Sequence, residues 1–175
     1  KDFVFENVSN LENVYLAGGE PMLMKENKEF LLLLKEKNPN CNIRVNSNLS
    51  TTQTGIFELL CGFKNVHWTI SVESMEQEYE YIRHHGVWQD FETNLDIIRK
   101  LDHKISFNML HFILNYKSIH NCIDYLKGKN FHDNSFIIGP LYTPQHLNIL
   151  NLPDPMITNI VDKLKDKLNQ NPTGY

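Results

Sequence analysis

Short apolar segments rich in valine and isoleucine alternate with longer amphipathic segments, and this alternation constrains the fold more than any other feature. The segments with strand character are 13–17, 42–46, 65–72, 104–113 and 135–138. The segments with helical character are 25–37, 54–63, 77–84, 91–101, 118–127 and 154–168. Strands that alternate with helices indicate a parallel sheet with helical crossovers. We therefore expect an α/β fold in which both faces of the sheet are covered.

The composition excludes several classes of protein. Of the 175 residues, 41% are hydrophobic, which is enough for a core and excludes disorder along the whole chain. The sequence has no uncharged run of about 18 apolar residues, so we expect no membrane-spanning helix and no membrane partner. Lys and Arg number 17 against 21 Asp and Glu, and this net charge of −4 gives no strong signal for nucleic-acid binding.

The cysteines and histidines show no metal-ligand pattern. Cys41, Cys61 and Cys122 are far apart and form neither a Cys-x-x-Cys pair nor a zinc spacing. An odd, sparse count is typical of free thiols in a reducing compartment, so we expect a cytoplasmic protein. The eight histidines are scattered, and the phosphate-loop motifs GxxxxGK[ST] and GxGxxG are absent from the sequence. We therefore assign no catalytic residue and no metal ligand within the chain.

Glycine, glutamate and proline follow the first expected strand, at the edge where parallel α/β sheets bind ligands. Gly18 and Gly19 permit a sharp turn and a close approach of the backbone to a ligand, and Pro21 fixes the chain that leaves the turn. Glu20 adds one carboxylate, so the turn suits the ammonium and carboxylate groups of an amino-acid-like ligand. A glycine-rich turn with a solvated glutamate is the alternative.

Polar side chains also follow the second and third strands. Ser47 and Asn48 can donate and accept hydrogen bonds to a ligand, or they can form an Asx turn that leads through Thr51 and Thr52 into the next helix. Ser71 and Glu73 alternate, so they are expected on one side, where they bind ribose hydroxyls or cap the next helix. Arg83 either reaches a ligand carboxylate or lies on the surface.

Five segments, in order, resemble the core of radical S-adenosylmethionine (radical SAM) enzymes. They are VYLAGGEPML, NIRVNSNLS, WTISVES, YIRHHGVWQDFETNLDIIRKL and FNMLHFILNYKSIHNCIDYLK. The closing YTPQHLNILNLP resembles the last strand and loop in members with a small C-terminal twitch domain. The resemblance implies a partial (β/α)6 barrel, TIM-barrel-like, with parallel strands. It implies a core at 1–152, followed at 153–175 by a helix and tail that would begin a twitch extension.

The resemblance also implies a cofactor set. In the family a CxxxCxxC loop binds a 4Fe-4S cluster, whose open iron chelates the methionine part of S-adenosylmethionine. One electron, from a donor such as flavodoxin or ferredoxin, yields a 5′-deoxyadenosyl radical that takes a hydrogen atom from the substrate. This sequence lacks the motif and begins with Lys1, so we expect a fragment that is inactive without an upstream cluster segment. The substrate stays open between a peptide, a nucleotide and a small molecule.

The resemblance assigns roles to the polar strand ends. Gly18, Gly19, Glu20 and Pro21 would meet the methionine amino group. Ser47 and Asn48 match the usual Thr-Asn of the family, and Leu49 stands where the family usually has glycine. The remaining expected contacts are those of Ser71 and Glu73 with the ribose and methionine, of Arg83 with the carboxylate, and of Asn115, Leu141 and Tyr142 with the adenine.

Two other functions stay open. The first is a degenerate, non-enzymatic α/β barrel module that binds a nucleotide or a protein partner. The second is an unrelated α/β hydrolase-like or sugar-binding domain. An upstream CxxxCxxC motif would favour the enzyme and its absence would favour the module. An occluded cleft at the strand ends would favour the unrelated domain.

Overall fold

The computed structural model describes residues 2–50 and 54–170. The strands are β1 (Asn13–Leu16), β2 (Asn42–Ser47), β3 (Val66–Ser71), β4 (Lys104–His111) and β5 (Phe136–Pro140). The helices are α1 (Asp2–Glu6), α2 (Lys25–Lys37), α3 (Ile56–Cys61), α4 (Glu76–Ile82), α5 (Trp88–Ile98), α6 (Ile119–Gly128) and α7 (Asp154–Gln170). Thr51, Thr52 and the tail residues 171–175, which the sequence analysis used, lie outside the described residues.

The five strands lie parallel in one open sheet, in the order β1-β2-β3-β4-β5. Strands that are consecutive in the chain are therefore neighbours in the sheet, as helical crossovers of one hand produce. This arrangement confirms the parallel α/β fold that the alternation of segments predicts. Among the described residues, no helix is long and apolar enough to cross a membrane.

Most element bounds agree with the sequence analysis, and the differences have local causes. α2 matches its expected bounds. α5 begins three residues earlier than expected, at Trp88, whose ring stacks on that of Phe91 with 5.0 Å between centroids. β5 continues through Gly139 and Pro140, where the sequence predicted its end. α1 was not expected.

The contacts of the chain group it into two compact units. The first consists of the described residues within Lys1–Ser71 and Gly86–Phe107. The second consists of the described residues within Val72–His85 and Asn108–Tyr175.

The first unit has its core on one side of β1, β2 and β3. Leu16 pairs with Val45, and Val45 pairs with Trp68, so the three buried side chains form one row across the strands. The ring of Phe57 in α3 lies 5.8 Å from that of Trp68, measured between centroids. Full burial of each such side chain stabilises the fold by about 1.5–3 kcal/mol.

The opposite side of these strands is polar and open. In β2 the buried Ile43 and Val45 alternate with the exposed Asn42 and Arg44, and in β3 buried residues alternate with half-buried ones. The expectation that both faces are covered is therefore wrong for this unit. Polar residues at every second position cannot be covered without a loss of hydration, so only the apolar face takes up neighbouring elements.

The second unit has its own buried side chains. Tyr79 of α4 is fully buried, as are Cys122 and Leu126 of α6. The backbone N–H of Leu141, after β5, donates to the carbonyl of His111 at the end of β4 at 3.0 Å.

Candidate functional site

The turn after β1 has the backbone conformation that its glycines permit. Gly18 and Gly19 have φ values of +92° and +56°, a region that other residues rarely adopt. A Cβ atom placed at either position would meet no atom of the described residues within 4 Å. Pro21 then begins a short 3-10 helix, Pro21–Leu23, whose Met22 N–H donates to Glu20 Oε1 at 3.4 Å. The turn therefore borders open space, with the Glu20 carboxylate fixed beside it.

The carboxylate of Glu20 joins the ends of β1 and β2. Glu20 Oε1 accepts a hydrogen bond from the Ser47 hydroxyl at 2.8 Å, and Oε2 accepts one from the Asn48 backbone N–H at 2.9 Å. Three of the predicted site residues are thus brought together. A carboxylate has about four acceptor positions, so the donors of Met22, Ser47 and Asn48 leave room for about one further donor.

Asn48 also forms the Asx turn that was the alternative interpretation. Its Oδ1 accepts from the backbone N–H of Ser50 at 2.9 Å and from the Ser50 hydroxyl at 2.6 Å. The two interpretations are compatible, because the Asx turn uses the side chain of Asn48 and the bond to Glu20 uses its backbone.

Leu49 has the left-handed backbone conformation that a glycine would favour at this position. Its φ is +54°, and its side chain is fully buried. The Leu49 carbonyl accepts a hydrogen bond from Nδ2 of the buried Asn94 in α5 at 2.7 Å. Asn94 is not among the predicted site residues. The available signal was an amide within the apolar face that Phe91, Leu95 and Ile98 form.

Ser71 ends β3, and its hydroxyl donates to Oδ1 of Asn46 in β2 at 3.2 Å. Both side chains are partly exposed on the polar side of the strands. The structure thus places a further predicted site residue at a strand end of the first unit. Glu73 lies beyond the end of β3 and belongs to the second unit.

Glu73 and Arg83 form a buried ion pair in the second unit. Arg83 Nη2 lies 2.8 Å from Glu73 Oε1 and 2.6 Å from Oε2. The side chains are 8% exposed for Glu73 and 19% exposed for Arg83. Burial raises the pKa of the Glu73 carboxyl, and the Arg83 guanidinium offsets part of that rise. Among the described residues, Nε of Arg83 is buried and has no hydrogen-bond partner.

We expect Arg83→Gln to raise the pKa of Glu73 further, because the substitution removes the positive charge that offsets burial. Because the folded-state pKa of Glu73 is raised, the free energy of unfolding falls as the pH rises from the ordinary glutamate pKa through the folded-state pKa. Carbon-13 NMR titration of the carboxyl groups measures the shift, with Arg99→Gln in the first unit as the control. An unchanged pKa of Glu73 in Arg83→Gln would show that the ion pair does not form in solution.

Asn115 lies just after β4, where its buried side chain holds three backbone groups through hydrogen bonds. It ends the 3-10 helix Ile113–Asn115, and its side chain is fully buried. Its Oδ1 accepts from the Phe112 N–H at 2.9 Å, and its Nδ2 donates to the carbonyls of Glu73 at 3.0 Å and Leu110 at 2.8 Å. Both amide protons are engaged, so the geometry gives Asn115 a positioning role. Leu141 is half-buried and Tyr142 is 63% exposed.

A family model described as the Radical SAM superfamily matches residues 3–136. The chain belongs to the radical SAM superfamily. The match covers the described parts of both units up to the start of β5, and it therefore includes every predicted site residue except Leu141 and Tyr142. No curated protein matches the chain significantly in sequence.

Solved radical SAM structures share the fold. Streptococcus suis SuiB bound to S-adenosylmethionine has a TM-score of 0.65 and 13% identity, with 97% of this chain and 40% of SuiB covered. anSMEcpe with bound AdoMet and Kp18Cys peptide has a TM-score of 0.65 and 16% identity, with 98% and 54% covered. TYW1 with a lysine-pyruvate adduct bound has a TM-score of 0.55 and 16% identity, with 89% and 50% covered. This chain spans about half the length of these proteins, and its open sheet matches their partial barrel.

The described residues of this radical SAM chain do not fit an iron–sulfur cluster. Cys41 and Cys122 are buried, and burial raises the pKa of Cys61 to about 11 and of Cys122 to about 12. A cluster needs thiolates that converge on one point. Within residues 2–50 and 54–170, no three His, Cys, Asp or Glu side chains are grouped so that they could hold a metal ion.

Proposed function

We propose that this chain is the S-adenosylmethionine-binding part of a radical SAM enzyme, and that Glu20 accepts a hydrogen bond from the methionine amino group. The observation that supports the proposal is the pair of hydrogen bonds that Ser47 and Asn48 donate to the Glu20 carboxylate. They hold the carboxylate beside a glycine turn with open space next to it. A charge that is held in place before binding loses little conformational freedom when a ligand arrives.

The ligand chemistry fits this turn. An ammonium group carries three donors, and a carboxylate is its strongest neutralising partner. Backbone groups of Gly18 and Gly19 are exposed, so a methionine backbone can approach them without a clash against a side chain. Pro21 is buried and fixes the chain that follows.

We assign the other predicted residues in the same framework. Ser71 would contact the ribose, and Leu141 with Tyr142 would border the adenine. Arg83, whose side chain is 19% exposed, would donate to the methionine carboxylate. Glu73 would then orient Arg83 through the ion pair, and Asn115 would position the loop near the adenine through the carbonyl of Glu73.

The cluster and the electron donor are further parts of the proposal. We infer that a 4Fe-4S cluster in the whole protein is held by cysteines outside this chain, because the described residues do not fit it. A flavodoxin or ferredoxin would reduce that cluster. On this basis the chain alone binds and orients S-adenosylmethionine but does not cleave it.

The twitch extension would follow the α7 segment. A reducing compartment suits both the free thiols and such a cluster.

We propose a substrate class for the whole protein from its structural neighbours. One SuiB structure contains its precursor peptide SuiA, and one anSMEcpe structure contains a peptide. Both observations are about those two proteins. A peptide is therefore our first candidate for the substrate, ahead of a nucleotide or another small molecule.

Two measurements test the proposal. Isothermal titration calorimetry of this chain with S-adenosylmethionine should show one saturable site, and its absence would remove the binding assignment. The full-length protein, reconstituted anaerobically with iron and sulfide, should release 5′-deoxyadenosine under a strong reductant. Binding by the chain without any product from the reconstituted protein would favour a non-enzymatic nucleotide-binding module instead.

A further inference from the structure

The polar face of the first unit carries a second candidate site, at the amino-terminal ends of the strands. Register pairs Tyr15 with Arg44 and Arg44 with His67, so these side chains form one row across β1, β2 and β3. Tyr15 is 61% exposed and Arg44 is also exposed. Parallel sheets usually have both faces buried, so this open polar row leaves side chains that are free to contact a ligand.

A cleft of about 660 Å³ lies over this row. Its volume is within the range of small-molecule sites, which is roughly 300–1,000 Å³. The lining includes Asn13 and Asn42, the first residues of β1 and β2, so the cleft begins at the strand ends opposite to the Glu20 turn. All of its lining residues belong to the first unit.

The cleft has an excess of positive charge although the chain as a whole is acidic. Arg44, Lys64 and Lys104 line it with three positive charges, and Asp102 adds one negative charge. Two positive charges are thus uncompensated when His67 is neutral. Among the described residues, none of the three cations has a carboxylate within 4.0 Å. Because the whole chain has a net charge of −4, the excess of positive charge is local to this face and does not reflect the overall composition.

The imidazole of His67 lies within the field of these cations. Its Nε2 lies 2.9 Å from the hydroxyl of Ser106 in β4. Burial lowers the pKa of His67, and Arg44 on β2 and Lys104 on β4 lower it further. Arg44 and Lys104 line the same cleft as His67, so both can attract one anion bound there.

We propose that this cleft binds the phosphate group of a phosphate monoester. A phosphate monoester carries a charge of about −1.5 to −2 at neutral pH, which matches the two uncompensated cations. A single carboxylate would leave one of them unpaired. The planar guanidinium of Arg44 can donate two parallel hydrogen bonds to phosphate oxygens, and Lys64 and Lys104 act as flanking point charges.

Nitrogen-15 NMR titration of the 175-residue chain with inorganic phosphate tests the proposal, with acetate as the comparison anion at matched ionic strength. We expect saturable shifts at the cleft residues with phosphate and binding at least about tenfold weaker with acetate. Arg44→Gln and Lys104→Gln should each weaken phosphate binding by about tenfold. Lys25→Gln, an exposed lysine at the start of α2, should leave it unchanged.

His67 supplies an independent readout in the same titration. A bound phosphate offsets the charges of Arg44 and Lys104, so the pKa of His67 should rise on saturation. Shifts that do not saturate, equal affinity for acetate, or unchanged affinity in both Arg44→Gln and Lys104→Gln would each overturn the proposal. These outcomes would leave the proposed function intact, because it depends on the Glu20 turn at the other ends of the strands.

Discussion

Replacing Glu20 with glutamine is expected to weaken S-adenosylmethionine binding to this chain by about 10- to 150-fold. A hydrogen bond to a charged partner contributes about 1.5–3 kcal/mol, and about 1.4 kcal/mol corresponds to a factor of ten. Glutamine keeps the shape of the side chain but removes the charge that would face the ammonium group. It also replaces one of the acceptor oxygens that now bind Ser47 and Asn48 with a donor. Isothermal titration calorimetry measures the dissociation constant directly.

Two further variants separate the charge of Glu20 from its position. Ser47→Ala removes the hydroxyl that holds Oε1 but keeps the carboxylate, so a smaller loss of affinity is expected, about threefold to tenfold for one hydrogen bond. Glu26→Gln in the first turn of α2 removes an exposed charge outside the turn and should leave affinity unchanged. Wild-type affinity in Glu20→Gln would exclude Glu20 from the binding site.

The parallel α/β fold could be predicted because its signal is spread over the whole chain. Five apolar segments separated by amphipathic ones restrict the topology even where the predicted end of a single segment is wrong. The one-sided sheet was also present in the sequence: β2 reads Asn-Ile-Arg-Val-Asn-Ser, with polar residues at alternate positions. The apolar content of the strands is typical of parallel strands that are buried on both faces, whereas the alternation in β2 is typical of a strand with one buried face.

The hydrogen-bond networks of the site could not be predicted, because they join residues that are distant in the sequence. Nothing local in the sequence shows that Asn94 supports the carbonyl of Leu49, or that Asn115 binds the carbonyl of Glu73. Both asparagines lie among apolar neighbours, and a buried amide must find partners. A buried asparagine can thus be suspected from sequence, but its partners depend on the tertiary structure.

Replacing Asn115 with alanine is expected to lower the free energy of unfolding by about 3 kcal/mol or more. Three backbone groups would lose a partner: the buried N–H of Phe112, the buried carbonyl of Glu73 and the part-buried carbonyl of Leu110. Each buried polar group left unsatisfied costs about 1–3 kcal/mol. The loss is a large part of the roughly 5–15 kcal/mol by which folded proteins are stable. Urea unfolding followed by circular dichroism measures it.

The same substitution at an exposed asparagine provides the control. Asn121 lies in α6, in the same unit, and its side chain is exposed. Asn121→Ala should change stability by less than about 0.5 kcal/mol, because it removes no buried partner and alanine favours the helix. Asn115→Asp keeps the shape of the side chain but has no N–H to donate to the carbonyls of Glu73 and Leu110. Aspartate still accepts from the Phe112 N–H, but its buried charge would face two carbonyl oxygens, so we expect it to destabilise at least as strongly as Asn115→Ala. A loss in Asn115→Ala similar to that in Asn121→Ala would show that Asn115 does not hold the loop.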